Sequence, residues 1–251
     1  MSSRTAARWP FPRVIAHRGG GALAPENTLA ALRLGAERGF RGVEFDVMLA
    51  GDATPVLIHD ETLERTTGTP GEVAAKSYAE LAALDAGAWK GARWRGERIP
   101  RFEDAAKLCR ELGLWANVEI KPAAGHETAT GAAAARVAAD VWRDAPLPPL
   151  LSSFSVEALD AARRAAPELP RGHLFDAVPA DWRARLEAHA CVALHCNWRS
   201  LDAALCARIH EAGYAILAWT VNDVTLARTL LAWGVNAIFT DALEEIGPTF
   251  A

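Results

Sequence analysis

Val43-Glu44-Phe45-Asp46-Val47 alternates apolar and acidic residues without a break. In a strand, successive side chains point to opposite faces, so Glu44 and Asp46 share one face while Val43, Phe45 and Val47 share the other. The stretch from Trp115 to Lys121 repeats the pattern, with Asn117, Glu119 and Lys121 on one face against Val118 and Ile120. An acid turned inward from an apolar strand is costly without a partner, so both segments read as strands that carry a site.

On either side of these two strands, short apolar runs alternate with Ala/Leu-rich helical stretches. Strand candidates are Val14 to His17, Val43 to Val47, Trp115 to Ile120, Leu150 to Phe154, His173 to Phe175, Val192 to His195, Ala215 to Thr220 and Ala237 to Phe239. Helical patterns start near Asn27, Arg101, Glu127, Ser155, Ala180, Ser200 and Asp223, with a stub after Asp241. Alternating units of this number and length predict an α/β fold with a parallel sheet closed into a (β/α)8 TIM barrel; an open doubly wound sheet is the alternative.

One segment departs from the repeat. After the apolar run Pro55 to His59, residues 60–100 are rich in Gly, Thr and Pro and hold one modest helical stretch, Tyr78 to Leu84. A long excursion without its own strand and helix is usually functional, so the chain reads as a single catalytic domain, residues 1–251, with 60–100 as a small inserted subdomain or lid after the second strand. It is expected to add little to the barrel core.

The 251 residues are 51% hydrophobic and 23% charged, which suits one globular domain with a full core and excludes disorder. A net charge of -4 supplies no positive field for nucleic acid or an anionic membrane. The longest uncharged stretches, Ala145 to Val156 and Thr229 to Thr240, have twelve residues each, too short for a spanning helix. Met1 to Arg13 lacks the apolar core of a signal peptide, and the chain reads as cytoplasmic. Cys109, Cys191, Cys196 and Cys206 form no C-x-x-C pair and read as buried reduced thiols.

In such a barrel the chemistry sits where the strands end. There Glu44, Asp46 and Glu119 converge, and three unpaired carboxylates are most simply reconciled by a hard divalent cation. Local arginine pairing is the structural alternative. His17 and His59 each end an apolar run at the same rim, and two imidazoles can serve as base and acid near neutral pH. Arg18 and Lys121 add fixed positive charge, Arg18 as a fork for two phosphate oxygens and Lys121 as a point charge. Together they describe a site for a phosphoryl group. Asn27 reads as the cap of the first helix and Glu26 as a residue that orders its loop. Asp241 reads equally as a site residue or a helix cap. The remaining histidines, His173 and His195 among them, read as surface or core residues.

His17-Arg18-Gly19, Pro25-Glu26-Asn27-Thr28, Glu44-x-Asp46, His59-Asp60, Leu63-x-Arg65-Thr66-Thr67, Leu84-Asp85-Ala86-Gly87, Ile99-Pro100, Glu119-Ile120-Lys121, Ser153-Phe154 and Trp219-Thr220-Val221-Asn222 stand in this order. From about residue 13 to 245 the chain closely resembles the glycerophosphodiester phosphodiesterases. The resemblance implies a phosphatidylinositol-phospholipase-C-like barrel that hydrolyses small-molecule glycerophosphodiesters to sn-glycerol 3-phosphate and an alcohol, a step of lipid and glycerol metabolism. It implies Mg2+ or Ca2+ on Glu44, Asp46 and Glu119, His17 and His59 as the acid/base pair, Arg18 and Lys121 on phosphate, and Trp219 as an apolar wall for the glycerol; the order within the pair is not given by the sequence, and His17 is taken as base and His59 as acid. Gly19-Gly20-Gly21 and Ile99-Pro100-Arg101-Phe102 depart from the family pattern at the rim. A lyase acting on sphingo- or lysophospholipids, or a catalytically silent barrel that binds a phosphorylated ligand, are the competing readings.

Overall fold

The computed structural model describes residues 9–250. The signal-peptide reading of the N-terminus falls, for residues 1–8, outside the described residues.

The described residues form nine strands: β1 (Val14–Ala16), β2 (Gly42–Leu49), β3 (Pro55–Leu57), β4 (Trp115–Ile120), β5 (Leu150–Ser153), β6 (Arg171–Phe175), β7 (Ala193–Asn197), β8 (Ala215–Trp219) and β9 (Ala237–Thr240). Their order is β1-β9-β8-β7-β6-β5-β4-β2-β3, and an additional β1–β2 pairing closes the ring. Eight strands are parallel neighbours around a barrel, and β3 lies outside it, antiparallel to β2 through Val47↔Leu57 and Leu49↔Pro55. The closed ring excludes the open sheet. The apolar run after the second strand is thus an edge strand, its position consistent with a proline at its start.

The helices are α1 (Leu29–Glu37), α2 (Glu64–Thr67), α3 (Tyr78–Leu81), α4 (Phe102–Leu112), α5 (Glu127–Val141), α6 (Val156–Ala165), α7 (Trp182–Ala188), α8 (Ala203–Glu211) and α9 (Val224–Ala232). Side-chain oxygens cap several of them: Thr28, Ser155, Asp202 and Asp223 each accept from the backbone N–H three residues on. The first cap corrects the expectation for Asn27, which stands outside α1 in the left-handed region at φ 58. The stub expected after Asp241 is a series of turns rather than a helix.

Strand periodicity sorts side chains between two cores. Val43, Phe45 and Val47 pack outward with helix residues such as Phe102, Ala105 and Leu108. Ile15, Leu150, Leu217, Ala237 and Phe239 fill the barrel interior with Trp115. A third apolar cluster joins the insertion to the barrel wall: Leu63, Val73, Leu81, Ala86 and Ile99 pack with Met48 of β2, Val56 of β3, Ile58 and Ala123. Residues 60–100 therefore seat an apolar face of their own on β2 and β3. In the same segment Ser77 and Glu80 cap α3 reciprocally.

Candidate active site

A cavity of about 220 Å³ opens where the strands end, and every residue singled out for the site lines it: His17, Arg18, Glu44, Asp46, His59, Glu119, Lys121 and Trp219. Three carboxylates form its acidic side. Glu44 and Asp46 are 3% and 2% exposed, and β2 and β4 are paired so that Asp46 stands beside Glu119. One oxygen from each of the three lies within 4.8 Å of the others, a spacing that a single cation with bonds of about 2.4 Å can span. Glu44 Oε1 is buried with no hydrogen-bond partner. Burial, and then the charge of Asp46, push the carboxyls of Glu44 and Glu119 well above their ordinary range. An all-oxygen set with an orphaned lone pair and mutual repulsion fits a hard divalent cation. The alternative of local arginine pairing is met only partly, by Arg18 at 3.6 Å from Asp46.

Each proposed acid/base imidazole is held by a carboxylate. His17 Nδ1 lies 2.8 Å from Asp241 Oδ1, and His59 Nδ1 lies 2.6 Å from Asp60 Oδ1. An ionised carboxylate only accepts, so Nδ1 carries the proton in both rings and Nε2 is left for chemistry. His17 Nε2 stands 3.8 Å from Glu44 Oε2. Burial alone would lower the His17 pKa, but the bond to Asp241 and the charges of Glu44 and Asp241 outweigh it and hold the ring above its ordinary value. His59 is held below its ordinary value, first by burial and then by Arg18 and Lys121, against the opposing pull of Asp46 and Asp60.

The cations sit around these groups. Arg18 is left-handed at φ 51, a conformation that turns its backbone N–H onto Glu44 Oε2 at 2.9 Å. Its Nη1 is taken by Glu26 at 2.7 Å and its Nε is buried, facing Asp46 at 3.6 Å, so Nη2 is the donor left for an anion. That is less than the free fork expected from the sequence. Lys121 Nζ is 3.5 Å from Glu119 and 6.0 Å from the centroid of the Phe154 ring. Phe154, 43% exposed, meets Trp219 edge to face at 5.7 Å, and the two rings form an apolar wall beside the carboxylates.

Three residues of the site were left unassigned or given another role by sequence reasoning. Asn27 is one: its Nδ2 donates to Asp46 Oδ2 at 2.8 Å and its Oδ1 accepts from the Asp46 N–H at 3.0 Å, so it holds a proposed ligand and caps no helix. Thr28 immediately after it, a better cap in sequence position, was the available signal. Asp241 is the second, and the close fit of Gly21 shows why the glycine-rich loop is there: a Cβ at Gly21 would lie 2.5 Å from the Asp241 carbonyl oxygen, which accepts from Ala22 N–H at 2.9 Å. Asp60, next to His59 in sequence, is the third.

The profile of the glycerophosphoryl diester phosphodiesterase family matches residues 17–245. A glycerophosphodiester phosphodiesterase of Caldanaerobacter subterraneus is 32% identical over 236 residues, covering 93% of this chain and 95% of that protein. Among solved structures, a phosphodiesterase of Oleispira antarctica in complex with the product sn-glycerol-3-phosphate is 42% identical, with a TM-score of 0.88 over 92% of this chain and 94% of that one. A glycerophosphodiester phosphodiesterase of Agrobacterium tumefaciens is 26% identical, with a TM-score of 0.75 over 94% of this chain and 98% of that one. With a family match that spans nearly the whole barrel and carries each motif of the cavity, this chain belongs to the glycerophosphoryl diester phosphodiesterase family.

Proposed function

We propose that this protein hydrolyses glycerophosphodiesters to sn-glycerol 3-phosphate and an alcohol. The observation that carries the reading is the pairing of two carboxylate-held imidazoles with a cluster of three carboxylates in one cavity. The relative bound to sn-glycerol-3-phosphate supports it. Glu44, Asp46 and Glu119 would hold the cation, Mg2+ or Ca2+, which when bound supplies positive charge against the phosphate oxygens.

Arg18 Nη2 and Lys121 Nζ meet the phosphate, Arg18 with its direction fixed by Glu26 at Nη1 and Asp46 at Nε. Trp219 and Phe154 cover the apolar edge of the glycerol. His17 Nε2 accepts the proton of the nucleophile and His59 Nε2 donates one to the departing alkoxide. This order rests on position: the His59 side chain is 28% exposed against 18% for His17, which suits the ring that meets a leaving group of variable size. The charges of the metal-free site bias the rings the other way, yet part of that bias comes from Glu44, whose charge a cation would take up.

Residues 60–100 serve as the lid of this site, with Arg93 Nη2 reaching across to the Leu23 carbonyl of the first loop at 2.9 Å. All four cysteines are buried and unbonded, which supports residence in a reducing compartment, the cytoplasm.

Release of glycerol 3-phosphate from several glycerophosphodiesters, with and without chelator, tests the function. Release that stops in EDTA and returns with Mg2+ or Ca2+ supports it; full activity in chelator removes the metal, and no release from any of them removes the reading. Substrates with a much better leaving group test the order of the histidines: they are expected to rescue His59→Ala and not His17→Ala.

A further inference from the structure

The arginine of Leu63-x-Arg65-Thr66-Thr67 has no role in that chemistry so far, and the glutamate of Pro25-Glu26-Asn27-Thr28 has only its bond to Arg18. They meet in space. Arg65, on α2 of the insertion, donates through Nη1 to Glu26 Oε2 at 2.6 Å and through Nη2 to Glu26 Oε1 at 2.7 Å. Its Nε donates to Asp60 Oδ2 at 2.5 Å. The planar fork is thus filled by three carboxylate oxygens from two different elements, a geometry that lysine cannot reproduce.

Each of those carboxylates also holds a residue that lines the cavity. Asp60 Oδ1 holds His59 Nδ1 at 2.6 Å, and Glu26 Oε1 also accepts from Arg18 Nη1 at 2.7 Å. The chain His59–Asp60–Arg65–Glu26–Arg18 is therefore continuous, and Arg65 is its centre although it does not line the cavity. Ion pairs of partly exposed arginines are often worth little, but here the fork is bidentate on a glutamate side chain only 12% exposed and belongs to a network.

From this geometry we propose that Arg65 is a positioning residue that sets both the imidazole of His59 and the guanidinium of Arg18. The insertion then does more than cover the site: it supplies the strut that orients the acid and the phosphate-binding arginine together. Without Arg65 two carboxylates lose their shared cation, Asp60 is free to rotate away from Nδ1, and Glu26 is free to draw Arg18 off the phosphate. The proposal rests on the phosphodiesterase reading above.

The test uses the full chain with its metal and glycerophosphocholine as substrate. Arg65→Gln is expected to lower kcat about 10- to 100-fold, the scale of a small misplacement at a reacting group, and to raise KM through Arg18. In a His59→Ala background the same change should lower kcat by less than about 3-fold, because the imidazole it positions is gone. Arg65→Lys, which keeps one charge, should recover part of kcat. Wild-type kcat and KM in Arg65→Gln, or a kcat loss as large with His59→Ala as without it, overturns the proposal. If Arg65→Gln does not fold, Arg65→Lys carries the same comparison, and loss of the fold in both makes Arg65 an anchor of the insertion and overturns it equally. A wild-type protein that releases no glycerol 3-phosphate is the distinct outcome that removes the functional reading and this proposal with it.

Discussion

Asp241 accepts from His17 on Oδ1 and from the Asn222 amide, 3.3 Å away, on Oδ2, while its own N–H donates to Asn222 Oδ1. The imidazole of His17 is therefore fixed by a carboxylate that is itself fixed, and Asp241→Ala should remove the orientation without removing the base. We expect kcat to fall at least about 10-fold, but less than the 10^2-fold or more expected for His17→Ala, the usual scale for a lost acid or base; a wild-type rate would take Asp241 out of the mechanism. Glu119→Gln is different in sign. It deletes one of three mutually repelling buried acids, so in chelator its Tm should rise above wild type, while the Tm gained on adding Mg2+ or Ca2+ should shrink. A variant that is less stable in chelator and gains as much from metal contradicts a shared cation site. The shared face of Glu44 and Asp46, and that of Glu119 with Asn117 and Lys121, could be read from the sequence because two-residue spacing fixes a face by strand geometry alone. For Asp241 the sequence left a site residue and a helix cap equally open: it lies 224 residues from His17, and only closure of the barrel brings them together.

Element by element, the strands were readable to within a few residues because a barrel wall buried on both faces demands apolar runs whatever its neighbours are. The apolar face of the insertion was not, because its residues Leu63, Val73, Leu81, Ala86 and Ile99 are spaced for no regular period and meet only in the fold. Their partners Met48, Val56 and Ile58 belong to β2, β3 and the loop that ends in His59. Replacing residues 61–98 by a Gly/Ser loop bares these three side chains, each worth about 1.5–3 kcal/mol when buried, and removes Arg65 from Glu26 and Asp60. The expected product is a barrel with parallel-barrel circular dichroism, a clearly lower Tm and almost no hydrolysis of any glycerophosphodiester. A deletion that keeps kcat and changes only which alcohol is accepted would make the segment a selectivity lid and nothing more.

For the molecule as a whole, the fold buries two histidines as neutral rings. His195 and His173 are 0% and 2% exposed, and burial pushes them down to about 3 and about 4. Their unfolded values lie near 6.5, so between about pH 6.5 and the folded values the unfolded chain binds more protons and stability falls as the solution is acidified. At pH 5 each ring accounts for a loss on the order of 2 kcal/mol relative to neutral pH. Glu44 and Glu119 oppose this in the metal-free protein: their carboxyls are raised in the folded state, so the folded chain takes up protons first and is favoured by the same acidification. A pH profile of the wild type alone mixes the two effects. Urea unfolding of wild type and His195→Leu, both in chelator at pH 7 and pH 5, separates them, because the carboxylate contribution is common to both chains and cancels. His195→Leu should lose about 2 kcal/mol less on going from pH 7 to pH 5, whatever its stability at pH 7, since the substitution removes a proton-binding group from the unfolded state alone. Parallel losses in the two chains would mean that His195 is protonated in the folded barrel, and the neutral, water-poor interior argued from its burial would be wrong.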